Sequence, residues 1–445
     1  MGGYLDKKIT IEQLESLREG FLSDPSNKPI MNTVTNNGIE ASSKDYFKAR
    51  DVRYHFNILI PTETKILDQK ASGRCWLFSG LTFLLHQSPK LLKIHNFEFS
   101  ENYLTFYDKL EKANSFLEQI LEYKDESLHS YRMRDLLQSL EMKDGGNWFR
   151  FSYLIKKYGI VPYSSMPETY HSSKSEQMNN VLAEKMREYA HKLRKEYQNG
   201  ISVEDLRHQK LKMIEELYRI LCICLGVPPK TIYFEAHDKS GKFIRLKDLT
   251  PKDFYKYFID INLDEYAVLS NYPDLIHPMN RTYTHKLGFG YFRDNKDKVL
   301  NTNMEVLKVA AIEQLKDGVP VWFSSDVKKD FLKSDGILDT KAYDLESLFK
   351  TQFSLFKGQR LDYLSLRSTH AMNIVGVNID DNGNPTKWRV VNSYGTTSGN
   401  SGYLVMTDKW FEKYAYRIVI KKRYLTQHIK NLLNTEPIVL DPLDS

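Results

Sequence analysis

The sequence predicts an α+β fold in which a layer of helices packs against a layer of antiparallel strands. Helical patterns dominate the first half of the chain, and β-favouring runs separated by turn residues dominate its C-terminal part. Helices early and antiparallel strands late are typical of two segregated layers. A polar, helix-favouring stretch between them indicates a large, mostly helical insertion. We expect an active site between the two layers.

Length and composition are those of a globular protein with two to three domains, or one large domain carrying an insertion. Of the 445 residues, 41% are hydrophobic and 27% are charged. These values exclude a fibrous or wholly disordered chain. The 63 Lys and Arg residues exceed the 57 Asp and Glu residues by six. That excess is too small to indicate nucleic-acid binding by itself.

The cysteines and the N-terminus predict a cytoplasmic protein. Cys75, Cys222 and Cys224 are too few, and odd in number, for a secreted disulfide framework. No His or Cys cluster accompanies them, so we expect no metal and no cofactor. The first thirty residues are charged where a signal peptide would be apolar, and no apolar stretch is long enough to span a membrane. We therefore expect no membrane association.

The helical half is predicted element by element. A helix over residues 11–21 is followed by a polar Asn/Ser/Thr stretch and an arm leading toward residue 52. Helical patterns resume at Cys75 and continue over residues 100–121, 131–140 and 148–158. Within the insertion, residues 174–199 favour helix. The next helix starts at Ser202, with Asp205 three residues later, and stops at Gly226 before two prolines.

Strands follow in the insertion and the C-terminal part. They are expected near residues 231–234, 266–269 and 320–324, and then at 371–379, 387–391, 402–406 and 416–420. A dense turn signal at residues 380–385 makes the 371–391 segment a hairpin. The predicted divisions are an N-terminal arm (1–54), the helical part of the catalytic domain (55–169), the insertion (170–360), the β part (361–424) and a C-terminal arm into the cleft (425–445).

Four residues form a candidate nucleophilic site. Cys75 starts a predicted helix, where unpaired backbone N–H groups and the helix dipole favour a thiolate. Gln69, six residues earlier, can add its side-chain amide to the Cys75 backbone N–H in an oxyanion hole. Taken alone, a Cys on an apolar helix is a small buried hydrophobic residue more often than a nucleophile.

His370 and Asn392 supply the other half of the site. They are equidistant from Asp381 in the hairpin turn, so we expect them to face each other across the ladder. His370 can then take the thiol proton while the Asn392 carbonyl orients the ring. The sequence alone does not show that Cys75 reaches this hairpin.

These motifs resemble those of papain-like cysteine peptidases, and of the bleomycin hydrolase and bacterial aminopeptidase C family in particular. The site motifs are Gln-Lys-Ala-Ser-Gly-Arg-Cys-Trp at residues 69–76, His-Ala-Met at 370–372 and Asn-Ser-Tyr-Gly at 392–395. Residues 107–114, 144–146, 385–388 and 436–440 are also similar to that family. The resemblance therefore extends from about residue 60 to the C-terminus.

The resemblance implies a papain-like fold and a cytosolic cysteine aminopeptidase that hydrolyses short peptides through an acyl-enzyme, assembled as a homohexamer. The implied roles are nucleophile for Cys75, general base and acid for His370, ring orientation for Asn392, oxyanion binding for Gln69, and pairing with the substrate backbone for Gly145 and Gly146. An ordinary glycine turn would also explain the two glycines.

Two departures from the family pattern leave alternatives open. Tyr394 stands where the family carries Trp, although its ring can still shield the His370–Asn392 hydrogen bond from water. The tail after Leu440 is short, and in the family the terminal carboxylate, here that of Ser445, receives the substrate ammonium. A short tail leaves room for an oligoendopeptidase. Because some family members bind DNA, a nucleic-acid-binding oligomer is a further, weakly supported alternative.

Overall fold

The computed structural model describes residues 8–51, 53–138, 142–286, 290–292 and 297–440. Its helices, in chain order, are α1 Ile11–Ser23, α2 Asn27–Ser43, α3 Tyr46–Asp51, α4 Cys75–His86, α5 Glu101–Glu122, α6 Tyr131–Gln138, α7 Trp148–Tyr158, α8 Tyr170–Ser173, α9 Glu176–Gln198, α10 Val203–Leu225, α11 Pro251–Phe258, α12 Met304–Lys316, α13 Leu345–Phe349, α14 Lys357–Asp362, α15 Asp408–Tyr414 and α16 Gln427–Leu433.

The strands, in chain order, are β1 Ile58–Leu59, β2 Ile232–His237, β3 Phe243–Leu249, β4 Tyr266–Ser270, β5 Arg281–His285, β6 Val299–Asn301, β7 Val321–Ser325, β8 Phe331–Leu332, β9 Ile337–Leu338, β10 His370–Ile379, β11 Pro385–Val391, β12 Tyr403–Thr407, β13 Ala415–Lys421 and β14 Ile438–Leu440. Within the described ranges they form one mixed, twelve-stranded sheet and the separate β2–β3 ribbon. The order in the sheet is β14-β5-β6-β4-β13-β7-β10-β11-β12-β9-β8, with β1 also paired to β10.

Successive residues of the central strands face two different hydrophobic cores. Ala371 and Trp322 pack with Trp76 in the core beneath the helices. Met372 and Phe323 point the other way, into a second core shared with α12 and α15. Because side chains alternate along a strand, burial on both faces gives an almost continuous apolar run instead of an alternating one. The α+β fold class predicted from the sequence is confirmed.

Helices with strong local signals lie within one or two residues of their predicted positions. For α10, the Ser202 hydroxyl accepts the Asp205 backbone N–H, and Gly226 follows the last turn with a φ of 89°. No helix was predicted at α2, which occupies the polar Asn/Ser/Thr stretch after α1. Asn, Ser and Thr favour turns over helix interiors. Here tertiary contacts offset that preference, since the Ser43 carbonyl accepts the Asp344 N–H and α2 packs against α13.

At the start of the predicted insertion, α9 and α10 pack on α5, and α8 packs on α9 and α10. The sheet, in contrast, runs through the boundary expected at residue 360. Strand β7, expected in the insertion, lies between β13 and β10 of the predicted β part, and β4 pairs with β13. The sequence predicted these two strands, but nothing in it indicated which strands they pair with. None of the helices in the described residues combines the length and apolarity that crossing a membrane requires.

Candidate active site

Helix α4 lies against strand β10, and this contact places Cys75 beside the hairpin. The Cys75 Sγ accepts the backbone N–H of Ala371 at 3.4 Å. One turn along α4, the Ser79 hydroxyl donates to the Ala371 carbonyl at 2.8 Å, and Asn373 donates its side-chain N–H to the Ser79 carbonyl at 2.8 Å. The thiol is therefore held next to the residue that follows His370.

The His370 ring is oriented by Asn392. His370 Nε2 lies 2.8 Å from Asn392 Oδ1, and both side chains are buried. The same Oδ1 accepts the Ser393 backbone N–H at 2.8 Å, which turns the carbonyl side of the amide toward both donors. Since a carbonyl oxygen only accepts, the proton of the neutral ring sits on Nε2 and the Nδ1 lone pair is available.

The hairpin register differs from the expected one. Asn373 pairs with Val391, so His370 and Asn392 are displaced by two positions from direct opposition. The shift arises at the turn, where Ile379 pairs with Pro385, so that the hairpin is centred on Asn382 instead of Asp381. The two irregularities further along the ladder cancel each other. The two side chains meet on a diagonal, which long polar side chains can span.

Burial opposes the expected thiolate. It raises the pKa of the Cys75 thiol to about 11, while hydrogen bonds from the backbone N–H groups of Ala371 and Trp76 act in the other direction. Burial also lowers the pKa of His370 to about 4, against the hydrogen bond to Asn392. The thiolate was predicted because Cys75 stands at the start of a helix, and that prediction did not include the cost of desolvating the charge. Both pKa shifts favour the neutral form of the side chain.

Gln69 is held in place by the residue after Asn392. The Ser393 hydroxyl donates to Gln69 Oε1 at 2.7 Å, and the Gln69 backbone N–H donates to the Ser393 carbonyl at 2.9 Å. Gln69 Nε2 uses one N–H on the Ser72 carbonyl at 2.6 Å. A primary amide has a second N–H. No role was predicted for Ser393 from the sequence, although Ser393 lies inside the Asn-Ser-Tyr-Gly motif.

Asp144 connects the glycine loop to the start of α4. Its carboxylate accepts the Gly73 backbone N–H at 2.9 Å and the Lys109 ammonium at 2.7 Å, and its carbonyl accepts the Trp76 indole N–H at 2.7 Å. Burial acts to raise the pKa of Asp144, but Lys109 and the hydrogen bonds outweigh it and hold that pKa well below its usual range. Neither Asp144 nor Lys109 was predicted as a site residue, although both lie in segments similar to the family.

Gly145 and Gly146 differ in how closely neighbouring side chains pack against them and in the contacts of their backbone groups. A Cβ added to Gly146 would lie 2.4 Å from the Trp76 ring, so close packing excludes any side chain there. A Cβ on Gly145 would meet nothing within 4 Å, but its carbonyl already accepts the Lys112 ammonium at 2.8 Å. Gly146 is therefore the better candidate for pairing with a substrate backbone.

Comparisons with known proteins identify the family. The family model for the Peptidase C1-like family matches residues 8–445. The chain belongs to this family. It is 37% identical to Aminopeptidase C of Listeria monocytogenes, over 99% of this chain and 98% of that protein. It is also 37% identical to Aminopeptidase G of Lactobacillus delbrueckii subsp. lactis, over 99% and 100%.

A solved structure of the family has the same fold. The crystal structure of PepW from Lactobacillus rhamnosis HN001 superposes with a TM-score of 0.94 at 39% sequence identity, covering 98% of each chain. The chain is thus an enzyme of the cysteine-type peptidase class with a papain-like fold, as the motifs implied.

Cys75, His370, Gly145 and Gly146 line one cleft with a cavity volume of about 340 Å³. Tyr394 lies beside it, with its ring 4.8 Å from that of His370 and its hydroxyl 3.5 Å from His370 Nδ1. Trp322, Ser324 and Arg417 also line the cleft, and no signal in the sequence pointed to them. Ser445, predicted to bind substrate, lies outside the described residues.

The Lys109–Asp144 ion pair is expected to stabilise the fold as well as the glycine loop. Both side chains are almost wholly buried, at 0% and 3% exposure. Lys109→Met leaves the Asp144 carboxylate without its cation, so we expect a loss of about 3–5 kcal/mol in the free energy of unfolding. Denaturant titration measures this loss. The control, Lys185→Met, removes an exposed pair with Glu188 and should cost less than about 1 kcal/mol. Equal losses of unfolding free energy in the two variants would contradict a stabilising role of the buried Lys109–Asp144 pair.

The pH dependence of catalysis should report the buried imidazole. A charged His370 cannot accept the thiol proton, so kcat/KM should fall on the acid side with a midpoint near pH 4 instead of the ordinary 6.5. Asn392→Ala removes a hydrogen bond that raises this pKa, so its midpoint should move lower still. Stopped assays between pH 3 and 8, with circular dichroism to monitor folding, measure both profiles. A wild-type midpoint near 6.5 would show that His370 is solvated.

Proposed function

We propose that the protein is a cysteine aminopeptidase that removes N-terminal residues from short peptides with Cys75, His370 and Asn392. The observation that carries the proposal is the junction of α4 and β10. There the thiol accepts a hydrogen bond from the residue next to His370, and His370 is oriented by Asn392 at 2.8 Å. The aminopeptidase names of the relatives support the same reaction.

The proposed reaction begins with proton transfer from Cys75 Sγ to His370 Nδ1. The thiolate attacks the scissile carbonyl, and the negative oxygen accepts the Cys75 backbone N–H and the second N–H of Gln69. His370 then gives its proton to the leaving amine, and an acyl-enzyme remains. Water, deprotonated by His370, hydrolyses the thioester and restores the thiol. Asn392 keeps the ring oriented throughout.

Variants of two cysteines test the nucleophile. Cys75→Ala should abolish hydrolysis of a fluorogenic aminoacyl substrate with a free amine, because no other thiol lines the described cleft. The control, Cys222→Ala, changes a half-buried thiol packed against the helical core and should keep near-normal kcat. Thermal unfolding of both variants checks that the fold is intact. Residual turnover by folded Cys75→Ala at the wild-type rate would refute the assignment.

Selectivity for a free N-terminus is assigned to the tail. Strand β14 ends at Leu440, beside His285 at the edge of the sheet. The five residues that follow carry Asp441, Asp444 and the terminal carboxylate of Ser445. We propose that the Ser445 carboxylate receives the substrate ammonium, a charge-assisted contact that an acetylated N-terminus cannot make. Against a blocked substrate, the same carboxylate would be left without a partner.

Deleting residues 441–445 should therefore lower the free-amine to N-acetyl ratio of kcat/KM by about tenfold or more. The two substrates differ only in the acetyl group, so the ratio cancels any general loss of activity. Steady-state kinetics before and after the deletion measure it. An unchanged ratio would show that the tail does not select the N-terminus. A wild-type enzyme that already cleaves the acetylated peptide well would favour the oligoendopeptidase alternative.

We also propose that the protein works as a cytoplasmic homohexamer. Helix α1 buries none of its residues, yet it exposes Ile11, Leu14, Leu17 and Phe21, which are apolar side chains that association of subunits would cover. The number six rests on the family resemblance, and sedimentation velocity can measure it. All three cysteines carry free thiols, which suits a reducing compartment.

A further inference from the structure

The sheet side of the cleft carries a group of hydrogen-bond donors that the proposed reaction does not use. Trp322 and Ser324 alternate along β7, so both side chains face the cleft. Ala371 on β10 and Arg417 on β13 pair with Ser324 from either side, which puts all four side chains on one face. We call Trp322, Ser324 and Arg417 the donor floor.

Two members of the donor floor lack a partner in the described part of the chain. The indole N–H of Trp322 and the hydroxyl of Ser324 are buried, with 2% and 6% of each residue exposed, and neither makes a hydrogen bond there. A buried donor without an acceptor costs free energy, so such groups are rare in folded proteins. Because the indole N–H can only donate, the missing partner must be an acceptor.

A β-bulge turns Arg417 into the cleft. Ala415 pairs with Ser325, but Arg417 pairs with Ser324, so one extra residue, Tyr416, is inserted on β13. Without it, Arg417 would be opposite Phe323 and would face the second apolar core. Bulges that redirect a side chain are frequent beside active sites. The guanidinium group instead lies on the cleft face, with its carbon 5.5 Å from the Tyr272 ring centroid.

The charges around the cleft point to an anionic ligand. Among the described residues that line it, the charged side chains are Arg150 and Arg417, with no carboxylate. Arg150 lies on the opposite wall and donates to the carbonyls of Gly145 and Gly290. Arg417, in contrast, belongs to the sheet, beside the two buried donors.

We propose that the donor floor is a carboxylate-binding subsite, in which Arg417, Ser324 and Trp322 donate to the two oxygens of an acidic side chain of the peptide substrate. A carboxylate offers about four acceptor positions and a charge that pairs with guanidinium, so it can accept from Trp322 and Ser324 and pair with the charge of Arg417. This inference rests on the proposed peptidase function and adds a preference for Asp or Glu.

The position of the floor limits which residue it can bind. Ala371, whose N–H contacts the Cys75 Sγ, is two strands away from Arg417. Two strand spacings make about 10 Å, the reach of one or two residues from the scissile bond. The carboxylates of the chain's own tail, residues 441–445, are a second source of the same chemistry, and the experiment distinguishes the two.

The test uses peptide pairs that differ only by Glu or Gln, placed in turn at the N-terminal residue and at each of the two residues that follow the scissile bond. The readout is the Glu to Gln ratio of kcat/KM. At one position the ratio should exceed one in the wild-type enzyme and fall about tenfold or more in Arg417→Met. Arg417→Lys should keep part of the preference, and Ser324→Ala should weaken it. The control Arg389→Met, whose side chain pairs with exposed Glu63, should not change it.

Repeating the series without residues 441–445 identifies the source of the carboxylate. If the tail occupies the floor, the Glu preference appears only after the deletion. The added peptide Asp-Pro-Leu-Asp-Ser should then remove the Glu preference, whereas an analogue in which every carboxylate is replaced by an amide should not. Either pattern supports the subsite. Equal Glu to Gln ratios in wild type and Arg417→Met, with and without the tail, would overturn it. Turnover of the Gln peptides reports peptidase activity separately, so failure of the subsite is distinguishable from failure of the proposed function.

Discussion

The contact between helix α4 and strand β10 is the constraint on which the site depends. Cys75 and Ala371 are 296 residues apart in the chain, yet the thiol accepts the Ala371 N–H. Ser79 and Asn373 continue the same contact one turn further along the helix. Because α4 is buried on all sides and β10 lies inside the sheet, neither element can move without disrupting a core. The hydrogen bonds set the register between two otherwise apolar surfaces.

Polar groups buried around this contact hold the remaining parts of the cleft. Asp144 joins the glycine loop to the start of α4, and Ser393 joins Gln69 to the segment that carries Asn392. In both cases one residue satisfies groups from two loops, so the Gln69 amide proposed for the oxyanion hole and the Asn392 amide beside His370 are positioned together. A buried charge such as Asp144 is tolerated because Lys109 and several N–H and hydroxyl groups surround it.

The cleft combines two buried side chains whose pKa shifts favour the neutral form, Cys75 and His370, with buried hydrogen-bond donors that lack acceptors in the described residues. Burial raises the pKa of Cys75 and lowers the pKa of His370, so in the proposed reaction the thiolate forms by proton transfer within the pair. The donor floor, on β7 and β13, has the opposite need, since the buried N–H of Trp322 and the hydroxyl of Ser324 lack acceptors in the described structure. A peptide entering the cleft brings carbonyl and carboxylate oxygens, which are the groups that both the oxyanion donors and the floor lack.

Neighbouring residues in the sequence were sufficient to predict the helices and motifs whose signals are local. The caps of α10, the bounds of α7 and the residues of the Cys75, His370 and Asn392 motifs could all be read from neighbouring residues. Tertiary structure decided the rest. It made a helix of the polar α2 segment, placed β4 and β7 in the catalytic sheet, shifted the hairpin register by two residues and turned Arg417 into the cleft. Strand partners, bulges and burial arise from contacts between distant segments, and a one-residue change in register reverses the face on which a side chain lies.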